Sequence, residues 1–353
     1  MNGGKHTKIL ATVGAADGNG DRETIARMLA AGADGFRINF SHASTDEVTK
    51  QVKWIRDIAG ELRQKVFIVA DLAGPKIRLG ELRGRRYNVK AGDELGLIYG
   101  GKHDGGPILP TQYDIAEYVS PRQHIFLFDG KVEAEIMAVV GKIIKIKALS
   151  DGYLTSRNGI NLPDSNFVGD ALTAKDLADL EFILAQDFDY ISLSFVHTAD
   201  DIATLRKIIT NHGSRAKIIA KIETKTATKP GILDKIVQAS DGVMVARGDM
   251  AYEIGAELVP AVQWRIVELC KKHRKFSIVA TQMLASMVDE PRPTRAEISD
   301  VATAVVEGAN ITMLSEETAL GSYPVESVAE MRRVIVATER HLRAHLVDDR
   351  GGK

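Results

Sequence analysis

The chain has 353 residues, 44% apolar and 26% charged, enough for one large core and a smaller domain. A formal net charge of −1 argues against nucleic acid or an anionic membrane surface as partner. No apolar run reaches the length of a membrane span, and no leader-like segment opens the chain. The single cysteine, Cys270, has no partner for an internal disulfide, which fits a reducing cytoplasm.

Eight short apolar runs follow in chain order: TKILATVG, DGFRINFS, KVFIVADLAG, YISLSFV, AKIIAKIET, GVMVARGDM, FSIVATQM and ITMLSEETA. Amphipathic stretches such as DRETIARMLAAG, TADDIATLRKIITNHG and PAVQWRIVELCKKH fill most gaps. This alternation predicts a parallel sheet, and eight units predict a closed (β/α)₈ TIM barrel, which takes about 250 residues. An open, doubly wound sheet is the competing arrangement. The helical SVAEMRRVIVATERHLRAHL, which completes the eighth unit, favours the barrel.

One gap breaks the rhythm. Residues 76–166 lack helical periodicity and carry alternating segments such as HIFLFDGKVEAEIMAVVG and KIIKIKAL. They predict a small β-rich domain inserted after strand three, a lid on a barrel built from 1–75 and 167–353. Beyond the insert, Thr173 and Asp176 have N-cap and N3 spacing, as do Thr294 and Glu297.

Polar residues gather at the C-terminal ends of the candidate strands: Arg37, Asn39 and Ser41 after the second, Asp71 after the third, Lys221 and Glu223 after the fifth. Arg247 and Asp249 follow the sixth, Thr281 and Gln282 the seventh, and Ser315, Glu316 and Glu317 the eighth. That end of a barrel carries the active site. Lys221 and Glu223 are two apart on a strand and share a face. Two carboxylates, Glu223 and Asp249, with a nearby ammonium suit Mg²⁺ and an anionic substrate. A structural ion pair would use the same residue types. Gly248 permits close backbone approach to such a substrate.

The stretches FRINFSHAS, ADLAGPKIRLG, NGINLP, IAKIET, DGVMVARGDM, VATQMLASMVDEPRPTRAEISDVATAVVEGAN and MLSEETALGSYPVESV resemble the pyruvate kinases, in that family's order, from about residue 7 to about 340. The resemblance implies phosphoryl transfer from phosphoenolpyruvate to ADP, giving pyruvate and ATP. It implies Mg²⁺ (or Mn²⁺) on Glu223 and Asp249, and Lys221 neutralising charge on the phosphoryl group and the enolate. Arg37 would grip phosphoryl oxygens, while Gly248, Asp249 and Thr281 hold the substrate carboxylate. Thr281 and Ser315 lie where the family relays a proton, with a water chain as donor. Arg78, His42, Asn39 and Arg157 would border the nucleotide.

Three departures bear on the nucleotide side: Asn158 stands where many members have lysine, Glu316 where a small residue is common, and Ala15 where proline is common. In the family, residues matching Asn39, Ser41 and Asp71 help bind a monovalent cation, usually potassium, and many potassium-dependent members carry glutamate at the position of Lys76. The lysine here implies that potassium is not required, with Lys76 placed beside Asp71 and the substrate phosphates; a lysine pointing into solvent is the structural alternative. The chain stops at Lys353 with no match to the family's C-terminal effector domain, implying hyperbolic saturation and indifference to sugar-phosphate activators. The PRPTRAEISDVATAVVEGA block resembles a barrel–barrel contact, so a homodimer is expected. Alternatives are a Mg²⁺-dependent pyruvate aldolase or lyase on a similar barrel, and a degenerate, non-catalytic metabolite-binding paralogue.

Overall fold

The structure is a computed structural model that describes residues 5–41, 43–165, 167 and 169–351. In chain order the strands are β1 (Lys8–Thr12), β2 (Gly35–Asn39), β3 (Phe67–Asp71), β4 (Tyr87–Val89), β5 (Glu94–Tyr99), β6 (Ile108–Thr111), β7 (His124–Leu127) and β8 (Val132–Val140). They continue with β9 (Ile143–Ala148), β10 (Gly152–Leu154), β11 (Ile160–Asn161), β12 (Tyr190–Leu193), β13 (Lys217–Ile222), β14 (Gly242–Ala246), β15 (Phe276–Ala280) and β16 (Ile311–Leu314). The helices are α1 (Arg22–Ala31), α2 (Thr45–Glu61), α3 (Ala174–Leu184), α4 (Ala199–Asn211) and α5 (Pro230–Ala239), then α6 (Arg247–Ile254), α7 (Val259–His273), α8 (Arg295–Glu307), α9 (Glu316–Ala319) and α10 (Pro324–Gly351).

Two compact units result: Met1–Gly74, Leu172–Arg247 and Pro260–Lys353 form one, and Pro75–Ala171 with Gly248–Val259 the other. In the first, eight strands close a barrel in the order β1-β16-β15-β14-β13-β12-β3-β2. The pairings in it are parallel. The expected (β/α)₈ barrel is therefore present. Side chains two apart along each strand share a face. Leu10, Val69, Ile219, Met244, Ile278 and Met313 meet in one buried cluster, each contributing about 1.5–3 kcal/mol by leaving water.

The same two-residue step carries each strand from mouth to mouth. On β13 it runs from Lys217 through Ile219 to Lys221, and on β3 from Phe67 through Val69 to Asp71. At the N-terminal mouth Tyr190 packs edge-on against Phe67 and Phe276, with centroids 5.8 and 5.3 Å away. Gly35 and Gly242 make room for this plug: a Cβ at either would lie 2.5 Å from the Phe67 ring or 2.2 Å from the Phe276 ring. Helix starts follow local chemistry. Thr173 and Thr294 both form the expected capping boxes, with Asp176 and Glu297.

The second unit is β-rich, with a six-stranded sheet in the order β11-β7-β8-β9-β5-β6 and a β10-β4 pair. Its core is fully buried Leu79, Leu97, Ile125, Ile136, Ile146 and Leu154. The alternating pattern of β9, IIKIKA, places Ile144 and Ile146 inward and Lys145 and Lys147 outward. The segment Gly248–Val259, which holds most of α6, belongs to this unit.

Candidate active site

In the first unit, the C-terminal ends of β2, β3 and β13 bring together two cations and two carboxylates. Arg37 Nε donates to Asp71 Oδ2 at 2.6 Å, and Arg37 Nη1 donates to Thr12 Oγ1 at 3.1 Å. Lys221 Nζ lies 3.0 Å from Glu223 Oε1 and 3.4 Å from Asp71 Oδ1. It also donates to Ser194 Oγ at 2.7 Å, whose hydroxyl donates onward to the Leu72 carbonyl at 2.8 Å. Glu223 Oε2 accepts the Phe195 N–H at 2.7 Å. All four charged groups are largely buried, so each is costly without its partners.

Burial works against the charge on Lys221, but the carboxylates of Asp71 and Glu223 overcome it and hold its pKa above the ordinary lysine value. Burial likewise opposes ionisation of Asp71. The Lys221 and Arg37 cations prevail, and its pKa falls below the usual aspartate value. The ammonium therefore stays charged at neutral pH. Asp71 Oδ1 is a buried oxygen without a hydrogen-bond partner, its Lys221 contact being electrostatic only.

Two further loops of this unit complete the strand-end set. Thr281 sits at φ 77° and Gln282 at φ 55°. A β-branched residue in that region is strained. Arg247 holds the loop there, donating from Nη2 to the Thr281 carbonyl at 2.6 Å while Nη1 pairs with Asp300 at 2.7 Å. Ser315 precedes α9, and its hydroxyl makes no capping bond. Glu317 does the tethering instead, accepting from Ser315 N at 2.7 Å and Leu284 N at 3.1 Å. Glu316 is exposed. Asn39 Oδ1 accepts from Ser41 N at 3.1 Å, shaping the turn after β2. His42 lies outside the described residues.

The second unit builds its own charged group around Asp249, in the first turn of α6 with Gly248. Lys76 Nζ lies 2.7 Å from Asp249 Oδ1 and 3.3 Å from Asp129 Oδ1. Asn161 Nδ2 donates to the same Asp249 oxygen at 3.0 Å. The Tyr252 hydroxyl donates to the Asp129 carbonyl. Lys76 has 14% of its side chain exposed, so it does not point into solvent. Burial opposes its charge, but Asp249 and Asp129 raise its pKa above the ordinary value. Gly159 is needed beside it, since a Cβ there would lie 2.5 Å from Lys76 Cε. Arg78 is half-buried and donates to the Arg157 carbonyl at 3.2 Å, while exposed Arg157 pairs with Glu81 at 2.7 Å. Asn158 is buried and closes a turn by accepting from Thr155 N at 2.6 Å.

Sequence reasoning missed Ser194, Arg247 as a loop lock, Asp129 and Asn161. Ser194 was within reach of the pattern: in YISLSF it continues the two-residue step from Tyr190 through Ser192. The other three depend on which loops meet, which spacing does not report.

A closed (β/α)₈ barrel with a buried lysine, charged at neutral pH between carboxylates at its C-terminal end, has the charge arrangement of an enzyme acting on an anionic substrate. Residues 4–328 match the family model described as "Pyruvate kinase, barrel domain". A pyruvate kinase of Agrobacterium vitis is 42% identical over 342 residues, covering 96% of this chain and 69% of the relative. One from Thermococcus litoralis is 36% identical over 336 residues, covering 95% and 70%. One from Thermotoga maritima is 35% identical over 342 residues, covering 96% and 72%. The chain belongs to the pyruvate kinase family and is a phosphotransferase that moves the phosphoryl group of phosphoenolpyruvate to ADP. Members of this family generally use a divalent metal. Among the described residues no helix is long and apolar enough to cross a membrane.

Proposed function

We propose that this chain carries out the pyruvate kinase reaction in the cytoplasm with Mg²⁺ (or Mn²⁺) and without potassium. The observation that carries the site assignment is the buried Lys221 ammonium, 3.0 Å from Glu223 and hydrogen-bonded to Ser194. Glu223 and Asp249 are the proposed metal ligands. Their chemistry fits: Mg²⁺ takes one or two carboxylates with water and phosphate completing the shell. Such an ion, when bound, polarises phosphoryl and carbonyl oxygens.

The chain's own residues supply the rest. Lys221 neutralises charge as the phosphoryl group leaves and again on the enolate, a preplaced cation that needs no reorganisation. Arg37, oriented by Asp71 and Thr12, binds phosphoryl oxygens. The backbone N–H groups of Gly248 and Asp249 at the start of α6 suit a carboxylate. The Thr281 hydroxyl, held by a strained backbone, serves the same carboxylate. Thr281 and Ser315 orient the water chain that protonates the enolate. Arg78, Asn39, His42 and Arg157 are assigned to the nucleotide. Asn39, Ser41 and Asp71 are assigned to the region where a monovalent cation would bind, and the tethered charge of Lys76, paired with Asp249 and Asp129, is the proposed reason that potassium is not needed.

Exposed Trp264, Ile298 and Val306 on α7 and α8 support a homodimer through the barrel; sedimentation at micromolar concentration checks it, and monomer alone contradicts it. The functional test is pyruvate formation from phosphoenolpyruvate and ADP with Mg²⁺, in a buffer whose only monovalent cation is tetramethylammonium. Full activity is expected without potassium, and Lys76→Glu is expected to create a potassium requirement. Large activation of the unmodified protein by potassium chloride contradicts the role given to Lys76.

A further inference from the structure

The N-terminal mouth of the barrel repeats one device four times. The residue before each of β2, β12, β14 and β16 turns its side chain back to the preceding barrel strand in sequence. Asp34 accepts from Ile9 N at 2.7 Å, Asp189 from Ile68 N at 2.7 Å, Asp241 from Ile218 N at 2.8 Å and Asn310 from Ser277 N at 2.9 Å. In each case the same residue's N–H donates to the carbonyl of the residue it clamps. Three of the four clamps are carboxylates, and each has a cation: Lys5 on Asp34, Arg56 on Asp189 at 2.8 Å and Arg206 on Asp241 at 3.0 Å. The fourth is an amide.

Cations are nonetheless present beside the fourth. An open cleft of about 650 Å³ is lined by Asn310 and by Lys217, Lys271, Arg274 and Lys275. Asp241 is the one carboxylate on its wall, and Arg206 already pairs with it. Lys271 pairs with Glu268 at 2.6 Å. Among the described residues, no carboxylate is within ion-pair distance of Lys217, Arg274 or Lys275. With Lys271 committed to Glu268 and Asp241 to Arg206, the remaining three cations, Lys217, Arg274 and Lys275, leave this cleft positive. Asn310 adds a donor: its Oδ1 is spent on Ser277, so its Nδ2 is the end left to face a ligand. Phe276 provides an apolar wall.

The structure assigns an oxyanion site to this cleft, in which a phosphate group takes the place of the carboxylate that the fourth clamp lacks. Phosphate suits it because several converging ammonium and guanidinium donors match its charge and its three or more acceptor oxygens. The site lies at the barrel mouth opposite the one that holds Lys221, and it is independent of the reading given to that end. Inorganic phosphate and a phosphate monoester share the chemistry, and the Phe276 wall leaves space for a small organic body.

The test is calorimetric titration of the full chain with inorganic phosphate and, separately, with glycerol 2-phosphate at constant ionic strength. Asn310→Asp is the decisive variant. It keeps the clamp on Ser277 N–H, restores the carboxylate of the other three, and should fold at least as well with unchanged basal activity. It should weaken the phosphate affinity of this site by roughly tenfold or more. Lys217→Gln with Lys275→Gln is a second variant should the first fail to fold, and it should lose the same binding. Binding of both probes lost in the variants supports the site; binding of phosphate alone supports it and restricts the ligand to the free ion. Absence of phosphate binding in the unmodified chain overturns the assignment, as does equal affinity in the variants. In the last case Lys271 and Arg274 serve only the C-terminal end of α7.

Discussion

The two mouths of the barrel are made by the same strands and treat charge in opposite ways. At the N-terminal mouth, Asp34, Asp189 and Asp241 are partly exposed, and each receives a backbone N–H and a cation, Lys5 being largely buried and Arg56 and Arg206 partly exposed. At the C-terminal mouth, Arg37, Asp71, Lys221 and Glu223 are buried against one another, and Asp71 Oδ1 lacks a hydrogen bond. Thr281 is also held at a φ that disfavours a β-branched residue. The first arrangement stabilises the fold. The second carries a desolvation cost that its ion pairs offset, and its strained Thr281 backbone persists because the surrounding barrel over-determines it, as expected where binding and catalysis occur.

Substitutions at the two ends should separate these roles. Among substitutions that keep the charges of the site, the largest effect is expected at Thr281→Asn, which tolerates positive φ better. The account predicts a kcat about 10²-fold lower and a protein more stable by about 1 kcal/mol, measured by steady-state assay and urea unfolding. A variant that is both less stable and fully active would remove Thr281 from the site.

Asp71 sharpens the contrast through pH. Its folded pKa lies below the unfolded value of about 3.9. Its contribution to stability is therefore complete above about pH 4 and is lost as pH falls through the folded value. Lys221, with its pKa raised, contributes below about 10.5 and loses that contribution as pH climbs through the folded value. The stability gap between the unmodified chain and Asp71→Asn should be widest at neutral pH and close in acid, as measured by urea unfolding from pH 7 to 3. A gap that stays constant would mean that Asp71 is not ionised in the folded state.

The smallest effect is expected at the other mouth. Asp241→Asn keeps the acceptor for Ile218 N–H and loses only the half-exposed Arg206 pair. Stability should fall by no more than about 1 kcal/mol, and kcat should stay within about twofold. A large loss of activity would show that the two ends are coupled.

The division between the mouths also explains what was legible in the sequence. Short apolar runs alternating with amphipathic stretches revealed eight strands, and the loss of helical rhythm with alternating segments over 76–166 revealed the β-rich insert. The capping boxes at Thr173 and Thr294 were readable because they are local. Polar residues at strand ends could be assigned a face but not partners. Lys76 was expected beside Asp71, whereas its carboxylate contacts within its own unit are Asp249 and Asp129. That result depends on Gly248–Val259 packing with the inserted strands. The fourfold clamp escaped notice because its residues, 34, 189, 241 and 310, have no regular spacing and become equivalent only when the barrel closes.

The central claim is that Lys221 is a preplaced cation for phosphoryl transfer rather than a structural ion-pair member. Lys221→Met tests it most directly, with three readouts on one protein: the coupled assay for pyruvate formation, proton exchange at C3 of pyruvate, and thermal unfolding. The account predicts that phosphoryl transfer falls by roughly 10³-fold or more, that C3 proton exchange persists in part, and that the variant remains folded. Near-normal phosphoryl transfer in a folded Lys221→Met protein would contradict it.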